Sequence, residues 1–293
     1  MRKTHSTIVT VSLLAAAVVA ASGFVAQEDP SYWIETMRQG GGDVRKEART
    51  QLIAMGSAAI PVLIEATHDE EDYIRWEAVN ALGSLADDYP EEVRPSVPAL
   101  TERVVTDRDS HVRWRSLWAL SVFPGDAVQE QAIPQIRAGL EDDNPTLVWN
   151  AVVGLAYFAQ PDAAPHLNQG VIENEGFARW EAVYCLHMVH NEESVLLLAE
   201  LIVAVETMER SLRQEAAMTL GRIGDSSAIP ALIQALNDPE MHVRWRVAAA
   251  LAKLEAVEAI EAIETALERE EDEFAIEQML HALELLTEET SDR

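Results

Sequence analysis

Ile74-Arg75-Trp76-Glu77-Ala78-Val79-Asn80-Ala81-Leu82-Gly83 is the stretch from which the rest of the chain can be read. It returns as Val112-Arg113-Trp114-Arg115 running to Leu120, and as Leu147 to Leu155 with Trp149 and Ala151 in place. Ala178-Arg179-Trp180-Glu181-Ala182 runs to Leu186, and Leu212-Arg213-Gln214-Glu215-Ala216-Ala217 to Leu220-Gly221. Val243-Arg244-Trp245-Arg246 leads to Leu251, Val44-Arg45-Lys46-Glu47-Ala48 to Leu52, and a weaker copy runs from Ala275 to Leu283. The intervals between starts are 30, 38, 35, 31, 34, 31 and 32 residues, and a leucine stands eight residues after every start.

Each unit reads as two helices. Positions 0, 4, 7, 8 and 11 of the repeated segment share one helical face, and they are mainly Val, Ile, Ala and Leu. A second apolar helix follows, opened in five units by Pro61, Pro98, Pro134, Pro165 or Pro230, since proline fits a first helical turn. Asp43, after three glycines, is placed to cap the first repeated helix. A helix pair this small cannot bury its apolar face alone, so stacked pairs must share a core. The expected fold is all-α, an α-solenoid of about eight helix pairs over 44–293. A capping helix near Ser31 to Arg38 and a Gly-rich turn complete a leading segment over 27–43.

These segments resemble HEAT repeats, and more narrowly the short HEAT-like repeats also found in phycobilin lyase subunits. That subfamily's pattern is close to V-R-x-x-A-A-x-A-L-G, preceded by an acid and followed by A-I-P-x-L. The resemblance covers about residues 43–290 and is specific for fold, whereas the repeat serves many functions. It also implies a structural ladder of acids and arginines. Asp69, Asp107, Asp142, Glu173, Asp238 and Glu270 stand five residues before a start. Arg45, Arg75, Arg113, Arg179, Arg213 and Arg244 stand one residue after. Gln39, Val148, Thr207 and Ile276 should interrupt it.

Composition bounds the function. The 293 residues carry 50 acids against 22 Lys and Arg, a formal charge of −28, which argues against nucleic acid or an anionic membrane as the main partner. A single cysteine, Cys185, excludes an internal disulfide and a Cys-rich zinc site. Arg2 and Lys3, a run from Ile8 to Ala21 apolar but for two hydroxyl residues, and small residues up to Ala26 have the anatomy of a signal peptide over 1–26, cleaved between Ser22 and Ala26. An uncleaved anchor over 8–26 is the alternative. Either reading places the protein in the periplasm or outside the cell.

Five tryptophans fall two residues after a start: Trp76, Trp114, Trp149, Trp180 and Trp245. That position lies nearly opposite the core face, and Trp118 and Tyr184 share it. By the family resemblance this surface is the inner, concave one. The stripe is a partner-binding surface, or each ring stacks on its neighbouring repeat or under an arginine such as Arg115 or Arg246. Glu47, Glu77, Glu181 and Glu215, three residues after a start, would rim it and suit a basic partner. His111 and His242 read as packing residues at helix entries. His187 and His190 could share a metal but lack a second cluster, so no metal or cofactor is expected. Cys185 falls on the core face.

Some HEAT-like proteins are di-iron hydroxylases built on His-Glu pairs, and this sequence contains no His-Glu dipeptide. No nucleophile elbow, P-loop or dinucleotide fingerprint occurs. The expectation is therefore a non-catalytic exported scaffold that binds a protein through the seven aromatic residues. An enzyme or enzyme accessory subunit of the bilin-lyase-like type and a carbohydrate-binding surface are the alternatives.

Overall fold

The computed structural model describes residues 29–124 and 126–291, with side chains to 287, so the 1–26 segment lies outside the described residues. All regular structure among them is helical, and none of these helices is long and apolar enough to cross a membrane. The chain divides into two compact units, 1–151 and 152–293.

In the first unit α1 (Pro30–Gln39) buries Ile34 and Met37 and packs on α2 (Gly42–Ala54). The repeats then run α2 with α3 (Ile60–Ala66), α4 (Asp72–Leu85) with α5 (Pro90–Val93) and α6 (Val97–Thr106), and α7 (Ser110–Ser121) with α8 (Ala127–Ala138). The helix α9 (Pro145–Tyr157) crosses the division. The second unit continues with α10 (Ala164–Glu173), α11 (Gly176–Cys185) and α12 (Glu192–Val203). It ends with α13 (Arg210–Ile223), α14 (Ile229–Ala235), α15 (Met241–Lys253), α16 (Ile260–Leu267) and α17 (Glu273–Ser291). The 38-residue second repeat is the longest because α5 and a 3-10 turn at Arg94–Ser96 are inserted before α6.

Within each unit the first helices of successive repeats stack in a row, α2 on α4 on α7, and α11 on α13 on α15 on α17. Second helices also pack on the first helix of the next repeat, as α6 does on α7 and α14 on α15. The core is therefore continuous within a unit, as an α-solenoid requires. The spaced leucines make it: Leu52, Leu82, Leu120, Leu155, Leu186, Leu220 and Leu251 are fully buried. Gly224 ends α13 in the left-handed conformation at φ 80°, and its N–H returns to the Leu220 carbonyl at 3.1 Å.

Two helix starts differ from expectation. Asp43 does not cap α2: the helix begins at Gly42, the cap position is Gly41, and Asp43 falls in the first turn, where its charge still suits the helix dipole. Pro61, Pro98, Pro165 and Pro230 do lie at helix starts. Pro134 instead lies inside α8, which starts seven residues earlier at Ala127. There proline leaves one helical carbonyl without its donor. Pro134→Ala is expected to raise stability by about 1 kcal/mol, read as a higher urea midpoint at unchanged m.

Three ladder arginines, Arg75, Arg213 and Arg244, join consecutive repeats, while Arg113 and Arg179 donate to carbonyls just before their own helices. Arg75 donates back to the Asp69 and Glu70 carbonyls (2.8 and 3.0 Å) and forward, bidentate, to Asp107 of the next repeat (2.7 and 2.8 Å). Arg213 reaches Asp238 at 2.6 and 3.0 Å, and Arg244 reaches Glu270 at 2.6 and 2.7 Å. Such forks fix orientation as well as charge. In the first repeat Arg45 turns to the Gly40 carbonyl at 3.0 Å and covers Tyr73, and Asp69 is held instead by Arg38 of α1.

Candidate functional site

The aromatic residues at repeat positions two and six sit on α4, α7, α9, α11 and α15. All seven, Trp76, Trp114, Trp118, Trp149, Trp180, Tyr184 and Trp245, are half-buried rather than fully exposed. The cover comes from long side chains one turn away and from neighbouring repeats.

In the first unit Arg115 of α7 lies over two rings, 4.0 Å from the centroid of Trp118 and 5.5 Å from that of Trp76. Arg49 of α2 stands 5.5 Å from the Trp76 ring on its other flank. Each guanidinium is held by a hydrogen bond: Arg49 donates to Glu77 at 2.5 Å, and Arg115 donates to the Asn80 side-chain oxygen. The Trp118 ring rests on the preceding repeat at Gly83, where an added Cβ would meet Cζ3 at 2.3 Å. Only glycine there admits the indole.

The second unit holds two further clusters. Phe177, Trp180 and Tyr184 form a ladder along α11, with centroids 5.8 and 5.4 Å apart and interplanar angles of 23° and 14°. Tyr184 meets His187 edge-on at 4.8 Å, and Arg222 of α13 stands 5.5 Å from the Tyr184 ring. Trp245 meets Phe274 edge-on at 5.6 Å, lies under Arg246 at 4.2 Å, and donates its indole N–H to His242 Nδ1 at 3.4 Å.

The carboxylates expected at the rim are not there. Glu77, Glu181 and Glu215 are buried beneath the aromatic layer, and only Glu47 is exposed. Position three lies closer to the core-facing stripe than position two, and neighbouring repeats close over it. Burial pushes the Glu215 carboxyl above the usual range, against the opposing pull of Arg222 and Arg246 and bonds from Arg222 and Trp180. An acid with a raised folded pKa costs stability once it ionises, above that pKa, and the cost vanishes as pH falls below the unfolded value. Glu215→Gln is therefore expected to raise the unfolding midpoint at pH 8 and to leave it unchanged at pH 4.

The histidines also differ from expectation. His111 and His242 are exposed rather than packed at helix entries. α11 ends at Cys185, so His187 and His190 lie beyond it; His190 is exposed, and the His187 Nδ1 faces the Tyr184 carbonyl at 2.5 Å. Burial lowers the His187 pKa and raises that of the fully buried Cys185 thiol. Among the described residues no three His, Cys, Asp or Glu side chains converge as metal ligands. Sequence reasoning missed Arg49, Asn80, Arg222 and the part Phe177 plays. The aromatic spacing 177, 180, 184 was the available signal for the last.

Curated proteins that match the chain include deoxyhypusine hydroxylase of Mus musculus, 29% identical over 66% of this chain and 69% of that protein. Deoxyhypusine hydroxylase-B of Oryza sativa is 27% identical over 68% and 72%. These relatives are enzymes, which overturns the expectation of a non-catalytic scaffold, and the same relatives overturn the exported location read from the 1–26 segment. Among solved structures, yeast importin-β (Kap95p) aligns with 88% of this chain and 41% of its own at 12% identity and a TM-score of 0.62, a likeness of fold. The model of HEAT repeats matches residues 32–121, 97–187 and 198–284, nearly the whole described chain. With the stacked helix pairs, the buried leucines and the arginine ladder, this places the chain in the HEAT-repeat family.

Proposed function

We propose that the chain is an enzyme related to the deoxyhypusine hydroxylases that acts on an amine-bearing side chain of a polypeptide. One observation carries the reading: the relatives matching two thirds of the chain are named for a reaction on deoxyhypusine, an amine. The ladder of Phe177, Trp180 and Tyr184 above buried Glu181 and Glu215 is chemistry compatible with such a ligand. Aromatic faces attract an alkylammonium group, and carboxylates complete its charge. Arg222 and Arg246 already stand against Glu215, so the reading gives the aromatic faces the larger share of contact.

The di-iron group of His-Glu-based HEAT hydroxylases does not fit the residues present. No His-Glu dipeptide occurs in the sequence, and the described residues gather no three ligating side chains. No oxygenation step is therefore assigned, and the reaction class stays at modification of an amine-bearing side chain.

The test incubates the purified full chain with a deoxyhypusine-bearing protein, with and without ferrous iron, and reads substrate mass. Calorimetry with the same substrate and with its unmodified lysine form reads binding. A mass change, or binding that prefers the modified form and weakens in Trp180→Ala, upholds the reading. No mass change and no preference overturns it.

A further inference from the structure

The two units treat one register of the repeat differently. In the first, Trp118, six residues after a start, fills the space against Gly83, nine residues after the preceding start, and lies under Arg115. In the second, the matching residues are Ala249, Gly221 and Arg246. Ala249 stands where the indole does, Ala250 closes on Gly221 so that an added Cβ would meet it at 2.9 Å, and a half-open cavity of about 140 Å³ lies beside them between α13 and α15. A cavity of about 150 Å³ is enough to take benzene.

Its lining gives the ligand class. Met218, Gly221, Ala249 and Ala250 supply apolar surface, and Trp245 supplies one aromatic face. Arg222, Arg246 and Lys253 supply three positive charges. This is unusual in a chain with 22 basic residues against 50 acids and only three lysines. No carboxylate lines the cavity; behind it Glu215 lies 3.4 Å from Arg222. Arg246 donates to the His242 carbonyl at 2.9 Å through one terminal nitrogen, and its buried Nε has no hydrogen-bond partner.

We propose that this cavity binds an aromatic carboxylate, its ring in the place that Trp118 fills in the first unit and its anion at Lys253 and Arg222. An aliphatic ligand would forgo the stacking on Arg246, and a neutral ring would leave the cations unused. The cavity does not depend on the amine-binding reading, although Arg222 and Arg246 stand between it and Glu215, and its test uses no enzyme activity.

Calorimetry of the full chain with indole-3-carboxylate, against indole and cyclohexanecarboxylate, tests it. Saturable binding of one indole-3-carboxylate per chain, with both comparison ligands at least about tenfold weaker, is expected. Lys253→Ala removes an exposed side chain and should weaken indole-3-carboxylate about tenfold while leaving indole unchanged. Ala249→Trp should abolish binding and raise the melting temperature. No binding to the wild-type chain, equal affinity for indole, or binding untouched by both substitutions overturns the proposal.

Discussion

Arg213→Ala is expected to lower stability by about 3–5 kcal/mol, the range for removing one partner of a buried ion pair. Arg213 and Asp238 are each 3% exposed, so the orphaned carboxylate could not reach water without opening α13 from the following turn. Three hydrogen bonds go with the guanidinium: two to Asp238, at 2.6 and 3.0 Å, and one to the Met208 carbonyl at 2.5 Å. The double variant Arg213→Met, Asp238→Asn should recover more than half the loss, because no buried charge remains and Asn can still accept from the Glu240 N–H, as Asp238 does at 2.8 Å. Urea unfolding of the three proteins measures this. A single-variant loss below about 1 kcal/mol would mean that the fork is decoration on a turn held by other contacts.

The same ladder sets the acid limit. The hydrogen bond from Arg244, with backbone N–H bonds and charge, holds the Glu270 carboxyl below its usual range despite burial. A depressed folded pKa gives stability that is full above the unfolded value near 4.5 and lost as pH falls through the lower folded one. Unfolding below pH 4.5 should therefore be weaker in acid dependence for Glu270→Gln than for the wild type, the opposite sign from Glu215→Gln.

The fold was legible because one short pattern repeats, and each repeat faces nearly the same packing problem. Position eight is leucine eight times, and seven of those leucines are fully buried. The ladder was legible for the same reason, although its span from one repeat to the next needed coordinates: a spacing of residues does not say which neighbour an arginine reaches. Departures arise where local sequence competes with the pattern. At Pro134 the preceding residues from Ala127 are good enough helix formers to start α8 early. At Asp43 the helix begins two residues sooner, at Gly42 with Gly41 in the cap position.

The surface was harder. Its aromatic residues were found by position, yet a helical wheel treats each helix as isolated. Exposure here is decided by Arg49, Arg115, Arg222 and Arg246, which reach from other positions to lie over the rings. A wheel also cannot see that Glu77, Glu181 and Glu215 are buried once the repeats stack, Glu77 on Arg49 of the preceding repeat. The function was least legible. The sequence lacks the ligand pairs of a His-Glu hydroxylase, while its matched relatives are hydroxylases. Repeat geometry and reaction chemistry are thus separable layers in this chain.

Trp118→Ala should remove about 2–4 kcal/mol and open in the first unit the kind of cavity that the second already has. Fully buried Trp→Ala changes cost about 3–5 kcal/mol, and a half-buried ring with one open edge should fall somewhat lower. Trp118 is seated on Gly83 and covered at 4.0 Å by Arg115, and both contacts would be lost. Gly83→Ala should act through the same contact, since its methyl would displace the ring. The two substitutions together should cost less than the sum of their separate effects, because the small side chain at 118 removes the clash. Free indole supplies a second readout. A ligand that binds only the folded chain stabilises it by RT ln(1 + [L]/Kd), so millimolar indole should recover part of the lost melting temperature in Trp118→Ala and none in wild type at that site. Without recovery, and with additive losses, Trp118 would be a surface ring rather than a wedge between repeats, and its register with Ala249 would have no structural meaning.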